Sequence, residues 1–260
     1  MVIIMHVHLN VFGLELPGYG TAIMIGIVLA SLIGGIHIKR RGLDINDFII
    51  LETIGVFFGF LGAKLLYLIV SFKDIDWSRL SEPAYLSYVL SAGFVFYGGI
   101  ILAAVAVFIA GKLNKIDTGK YFREVAFLIP FAHAFGRIGC YFAGCCFGVP
   151  YSGPLAVTFP EGSSAPAGIS LFPVQLVEAA LLFLISGGIY LFQRKRGTKY
   201  TVEAYFIAYG LVRFALEFLR WDEYRGRYLF LYTSQWISLA LIAAAIVSII
   251  IRRRSSARQQ

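Results

Sequence analysis

Seven long apolar runs constrain this chain more than any other feature. They cover roughly residues 19–38, 48–72, 86–110, 125–147, 172–193, 200–219 and 229–251. Each comes close to the roughly 20 residues that an α-helix needs to cross about 30 Å of hydrocarbon. The pattern predicts an all-α integral membrane bundle of about seven transmembrane helices, read as a single transmembrane domain over residues 1–260. Composition agrees: 58% of residues are hydrophobic and 15% charged, where a soluble domain carries about a quarter charged residues. The aromatic share of 16%, with Phe and Tyr far ahead of Trp, suits helix interfaces and anchoring at headgroup level.

The charge pattern orients the bundle. Lys39, Arg40 and Arg41 follow the first run, Lys112, Lys115, Lys120 and Arg123 the third, and Arg194, Lys195, Arg196 and Lys199 the fifth. Arg252, Arg253, Arg254 and Arg258 close the chain, whereas the opposite connections hold only Lys73, Arg79, Arg220, Arg225 and Arg227. The positive-inside rule then predicts an outer N-terminus and a cytoplasmic C-terminus. The net charge of +8 is spread over these clusters instead of one surface, which excludes a nucleic-acid partner. No cleavable signal peptide is expected, because residues 1–18 contain His6, His8 and Glu15 and lack a basic leader. Residues 148–171 carry Pro150, Pro154, Pro160 and Pro166 and no basic residue, and are expected to form a structured or mobile periplasmic-side loop.

Charged groups inside apolar runs single out the functional candidates, since a mid-helix Arg or Lys costs roughly 2.5–3.5 kcal/mol on insertion scales. Lys64, Arg137 and Arg213 are such groups, accompanied by Glu178 and Glu217. Tyr209, Arg213, Glu217 and Arg220 recur every three to four residues and form one polar stripe, and His133 and Arg137 share a face four residues apart. Two arginines on different helices facing one interior make an anion site, and a guanidinium fork matches phosphate oxygens. An anionic phospholipid is the ligand expected at that depth. The structural alternative is an intrahelical Arg213–Glu217 pair, with Arg137 only tying helices together through backbone carbonyls. Glycines such as Gly55, Gly59 and Gly62, or Gly98 and Gly99, fit close helix contacts.

Cys140, Cys145 and Cys146 are the only cysteines and lie together, which argues against a secreted-type disulfide framework. They are read as reactive or structural thiols. Their spacing lacks a CxxC pair and adjacent cysteines rarely ligate one tetrahedral ion, so neither metal nor cofactor is expected.

At Gly136-Arg137-Ile138-Gly139 and Gly148 the chain resembles the prolipoprotein diacylglyceryl transferases, whose signature runs Gly-Arg-x-Gly-Asn-x-x-Asn-x-Glu-x-x-Gly. The resemblance continues in order through Tyr19-Gly20, Lys64 and Tyr67, Gly98-Gly99, Pro173, Gln175, Leu176 and Glu178-Ala179. It ends with Tyr209-Gly210, Arg213, Glu217, Arg220 and Gln235. It implies a multi-pass enzyme of the bacterial plasma (inner) membrane that moves diacylglyceryl from phosphatidylglycerol to a lipobox cysteine of a lipoprotein precursor. It also implies that Arg137 and Arg213 hold the lipid phosphate. Tyr19, Lys64, Tyr67, Gly98, Gly99, Gln175, Glu178, Tyr209, Glu217 and Arg220 are then the expected substrate-binding set.

Three departures fall at the signature and one before Gly98-Gly99. Tyr97 replaces the family's histidine before Gly-Gly, Cys140 and Ala143 its two asparagines, and Cys145 its glutamate. His133 or Tyr97 is therefore the candidate base, and an imidazole titrates near neutrality. Two further readings stay open: a transferase of the same fold with a different acceptor, and a non-catalytic phospholipid-binding or translocating protein.

Overall fold

The computed structural model describes the backbone of residues 3–4, 8–11, 14–91, 93–221 and 226–257. His6, Arg225 and Arg258 lie outside the described residues. The fold is mainly helical: α1 (Gly18–Arg40), α2 (Ile45–Val70), α3 (Pro83–Ser91), α4 (Phe96–Asn114), α5 (Thr118–Val125), α6 (Leu128–Ala143), α7 (Val174–Arg196), α8 (Thr201–Leu216) and α9 (Thr233–Ala257). Short strands pair in three small sheets. β1 (Ile3–Ile4) runs parallel to β4 (Val157–Thr158), which pairs antiparallel with β5 (Ser170–Leu171), while β2 (His8–Val11) with β3 (Leu14–Pro17) and β6 (Arg227–Tyr228) with β7 (Leu231–Tyr232) form hairpins.

Five helices, α1, α2, α4, α7 and α9, are long and apolar enough to cross a membrane, and a sixth span results if α5 and α6 count as one bent element. Their large apolar side chains are widely exposed, as Leu113 at 78% and Leu184 at 71% show, which places hydrocarbon where a soluble protein would place water. The pieces differ from the expected runs in three places. The run at 125–147 contains the 16-residue α6, bent by 59° from α5 at a two-residue break. Pro130 in the first turn of α6 has no N–H to continue a ladder from α5. The run at 200–219 yields the 16-residue α8 followed by a 3-10 turn over Glu217–Leu219. The run at 86–110 divides into α3 and α4, with left-handed Gly93 (φ +69°) between them.

The helices belong to two compact units, residues 35–122 and residues 1–34 with 123–260. In the first, α2 and α4 cross at glycines: a Cβ on Gly98 would collide with Gly62 O and Leu66 Cβ, and one on Gly99 would press on Gly59 O. The Lys64 ammonium donates to Val89 O and to Gly93 O, and lies over the Tyr67 ring (4.7 Å) and the Phe94 ring (5.1 Å). It thus satisfies carbonyls at the C-terminal end of α3, where a cation also complements the helix dipole.

In the second unit α6, α7, α8 and α9 pack in succession. Ala134, Ala179 and Leu182 form a tight contact between α6 and α7, with Tyr209 of α8 against it. Buried polar side chains tie the segments: Ser186 Oγ donates to Phe127 O (2.8 Å), and Thr201 Oγ1 to Arg123 O (3.0 Å). Such bonds satisfy backbone carbonyls that neither lipid nor core could serve. The segment after α6 is structured, with Val157, Phe159, Ala165 and Leu171 closing over Tyr141.

Candidate functional site

The charged side chains of α6, α7 and α8 converge in one buried cluster. Arg137 leaves α6 and its Nε lies 3.1 Å from Glu178 Oε1 on α7, with side-chain exposures of 14% and 2%. The Tyr209 hydroxyl of α8 donates to the same carboxylate oxygen (3.2 Å). One turn further along α8, Arg213 Nη2 lies 2.7 Å from Glu217 Oε2, and Arg220 Nη1 lies 3.8 Å from that oxygen. Among the described residues one guanidinium therefore faces Glu178 and two face Glu217. Among the described residues buried Arg213 Nη1 has no hydrogen-bond partner, and neither has Arg137 Nε, whose approach to Glu178 lacks the angle of one. A buried guanidinium with an unused N–H is costly unless an anion meets it.

Helix periodicity explains the convergence on each element. His133 and Arg137 stand one turn apart on α6, and the His133 ring meets the Tyr209 ring edge-on at 4.9 Å. Both Arg137 and Arg213 are within Coulombic reach of His133 and of Tyr209. Tyr205, one turn before Tyr209, stacks on it at 5.8 Å with planes 14° apart. Sequence reasoning missed Tyr205, although its four-residue spacing from Tyr209 extends the stripe by one turn. The i, i+4 pair of Arg213 with Glu217 exists, whereas Arg137 meets the Glu178 carboxylate of α7, a partner that the structural alternative of backbone carbonyls did not foresee.

The thiols gather at the end of α6. Gly144 takes the left-handed conformation (φ +67°) that closes the helix, with its N–H bonded to Tyr141 O (3.1 Å), and Cys145 N donates back to Cys140 O (3.1 Å). Gln175 Nε2 of α7 donates to Cys145 O (2.9 Å) and fixes this turn to α7. Val149 N then bonds to Leu219 O, and Trp221 N to Phe147 O, so the chain after the cysteines runs beside Arg220. Gly148 permits this approach, because a Cβ there would strike Phe172 O. The three Sγ atoms all lie within 4.8 Å of one another, which linear spacing did not anticipate. Tyr19 of α1 packs over Gly139, where a Cβ would come 3.0 Å from its ring.

Other expected site residues have different settings. Lys64, Tyr67, Tyr97, Gly98 and Gly99 belong to the 35–122 unit. There Gly98 and Gly99 serve helix packing, Lys64 holds α3 carbonyls, and Tyr97 is 56% exposed. Gln235 Oε1 accepts from Tyr232 N (3.1 Å) and its Nε2 donates to Phe214 O (3.4 Å), so it joins the start of α9 to α8.

Comparison with known proteins identifies the family. A family model described as prolipoprotein diacylglyceryl transferase matches residues 6–251. A Clostridium tetani protein named phosphatidylglycerol–prolipoprotein diacylglyceryl transferase is 37% identical over 238 residues, covering 91% of this chain and 93% of the relative. A Clostridium perfringens protein named phosphatidylglycerol–prolipoprotein diacylglyceryl transferase 2 is 33% identical over 92% of this chain and 91% of its own length. A Mannheimia succiniciproducens relative with the first of these names is 28% identical over 94% of this chain and 92% of its own length. The chain belongs to the prolipoprotein diacylglyceryl transferase family.

Proposed function

We propose that this member of the family transfers the diacylglyceryl group of phosphatidylglycerol to the thiol of a prolipoprotein cysteine in the bacterial plasma membrane. The observation that carries the site assignment is the buried Arg213 Nη1, without a hydrogen-bond partner among the described residues, in a cluster of three arginines and two glutamates. Arg137 and Arg213 hold the lipid phosphate, while Glu178 and Glu217 keep the two forks oriented. Tyr209 adds a hydroxyl, and Tyr19, Gln175 and Arg220 complete the surroundings. The acceptor sulfur attacks the diacylglyceryl carbon that bears the phosphate ester oxygen. That carbon–oxygen bond breaks, and glycerol phosphate leaves with the electron pair on its phosphate oxygen. The arginines stabilise the charge that develops there. His133 takes the thiol proton, because its imidazole shares the face of α6 that presents Arg137. Tyr97, with the same task, is the alternative base.

The chain acts as one transmembrane domain of seven passes. The short helices α6 and α8 complete the span count, the N-terminus is outside, the C-terminus is cytoplasmic, and residues 148–171 form a periplasmic-side loop. Fifteen basic residues on one set of connections against five on the other support this orientation. The test is incubation of the purified protein with phosphatidylglycerol and a lipobox peptide. Glycerol phosphate release that requires the peptide, with a diacylglyceryl thioether on its cysteine by mass spectrometry, is expected. Release to another acceptor with the peptide unmodified would instead favour the same-fold transferase reading, which the Cys140, Ala143 and Cys145 replacements motivate. Lipid retention without any release would leave only a binding or translocating protein.

A further inference from the structure

We propose that Cys140, Cys145 and Cys146 form a binding site for one thiophilic d10 cation, Zn(II) or Cu(I), at the C-terminal end of α6. The three Sγ atoms already lie within 4.8 Å of one another, and all three cysteines are free thiols. With metal–sulfur bonds of about 2.3 Å, sulfurs around one ion stand about 3.8–4.0 Å apart in tetrahedral or trigonal geometry. Closing the present spread requires a contraction of less than about 1 Å, within the reach of small χ1 rotations.

The backbone overcomes the objection that adjacent cysteines point apart. Cys146 has φ +57°, a left-handed conformation that is sterically unfavourable for a side chain with a Cβ. Together with left-handed Gly144 it folds the chain back, so that Sγ of Cys146 joins those of Cys140 and Cys145. The turn is closed by the Cys145 N bond to Cys140 O and held from outside by the Gln175 bond to Cys145 O. Among the described residues no His, Asp or Glu joins the thiols, and an all-sulfur set selects soft ions over Mg(II) or Ca(II).

The proposal rests on the thiols alone, so its failure would leave the lipid reading intact. The test uses the full chain in detergent, kept anaerobic with a phosphine reductant, and adds Cd(II) as a spectroscopic probe. One equivalent should saturate an ultraviolet sulfur-to-cadmium charge-transfer band and protect all three thiols from alkylation. Cys140→Ser and Cys146→Ser should each weaken binding by more than about 100-fold, the upper range for losing even an outer-shell partner. Displacement by Zn(II) and by Cu(I) in parallel identifies which ion the site prefers. Absence of the band in the wild-type chain, or alkylation of the three thiols at an unchanged rate with Cd(II) present, overturns the site without reliance on any variant.

Discussion

Replacing Glu178 by Gln tests the logic of the buried cluster most directly. Glu178 is 2% exposed and is the anion beside Arg137 at 3.1 Å, so the change leaves a guanidinium at 14% exposure without its counter-charge. Breaking a buried pair costs about 3–5 kcal/mol. The Gln oxygen can still accept from Tyr209, which keeps the estimate near the lower end, about 3 kcal/mol. At about 2–4 °C per kcal/mol for a chain approaching this size, lipid-free protein in detergent should melt roughly 6–12 °C lower. The cluster loses one negative charge, so a phosphate ligand should stabilise the variant more than the wild type. Melting is followed with added phosphatidylglycerol and, as a control with the same tails and no phosphate, diacylglycerol. Glu203→Gln supplies a second control: its partner Arg252 at 3.2 Å is 42% exposed, so a smaller loss and no selective phospholipid rescue are expected. A shift below about 2 °C for Glu178→Gln would show that Glu178 is not the counter-charge of Arg137, and equal rescue by diacylglycerol and phosphatidylglycerol would remove the phosphate from the cluster.

Three further outcomes follow from the geometry. Arg213→Lys keeps the charge and loses the planar fork, so kcat/KM for phosphatidylglycerol should fall at least about 10-fold; unchanged kinetics would remove the bidentate contact from the mechanism. His133→Gln should retain lipid and lose at least about 100-fold in turnover, while Tyr97→Phe changes turnover little; the reverse pattern would transfer the base role to the tyrosine. Gly98→Ala adds a Cβ against Gly62 O and Leu66 Cβ and should destabilise the protein by about 1–3 kcal/mol as overpacking, read by thermal melting; an unshifted midpoint would mean that α2 and α4 separate freely.

Sequence alone determined the features that depend on local composition and period. Apolar runs of near-membrane length predicted helices because backbone bonding within each run needs no distant partner. The cost of charge in lipid marked Arg137, Arg213, Glu178 and Glu217, and the ordered motifs pointed to the family that the comparisons then established. Tertiary structure decided what depends on residues far apart in the chain. Lys64, a candidate lipid ligand by its place in an apolar run, holds the carbonyls of Val89 and Gly93 beside the break between α3 and α4. Glu178 meets Tyr209 across 31 positions, a pairing that no helical period contains. The cysteines look ill-spaced for a common ligand in linear order, yet the left-handed backbone at Cys146 brings their sulfurs within 4.8 Å. Side-chain period identifies a face; packing between helices and single backbone reversals decide what that face meets.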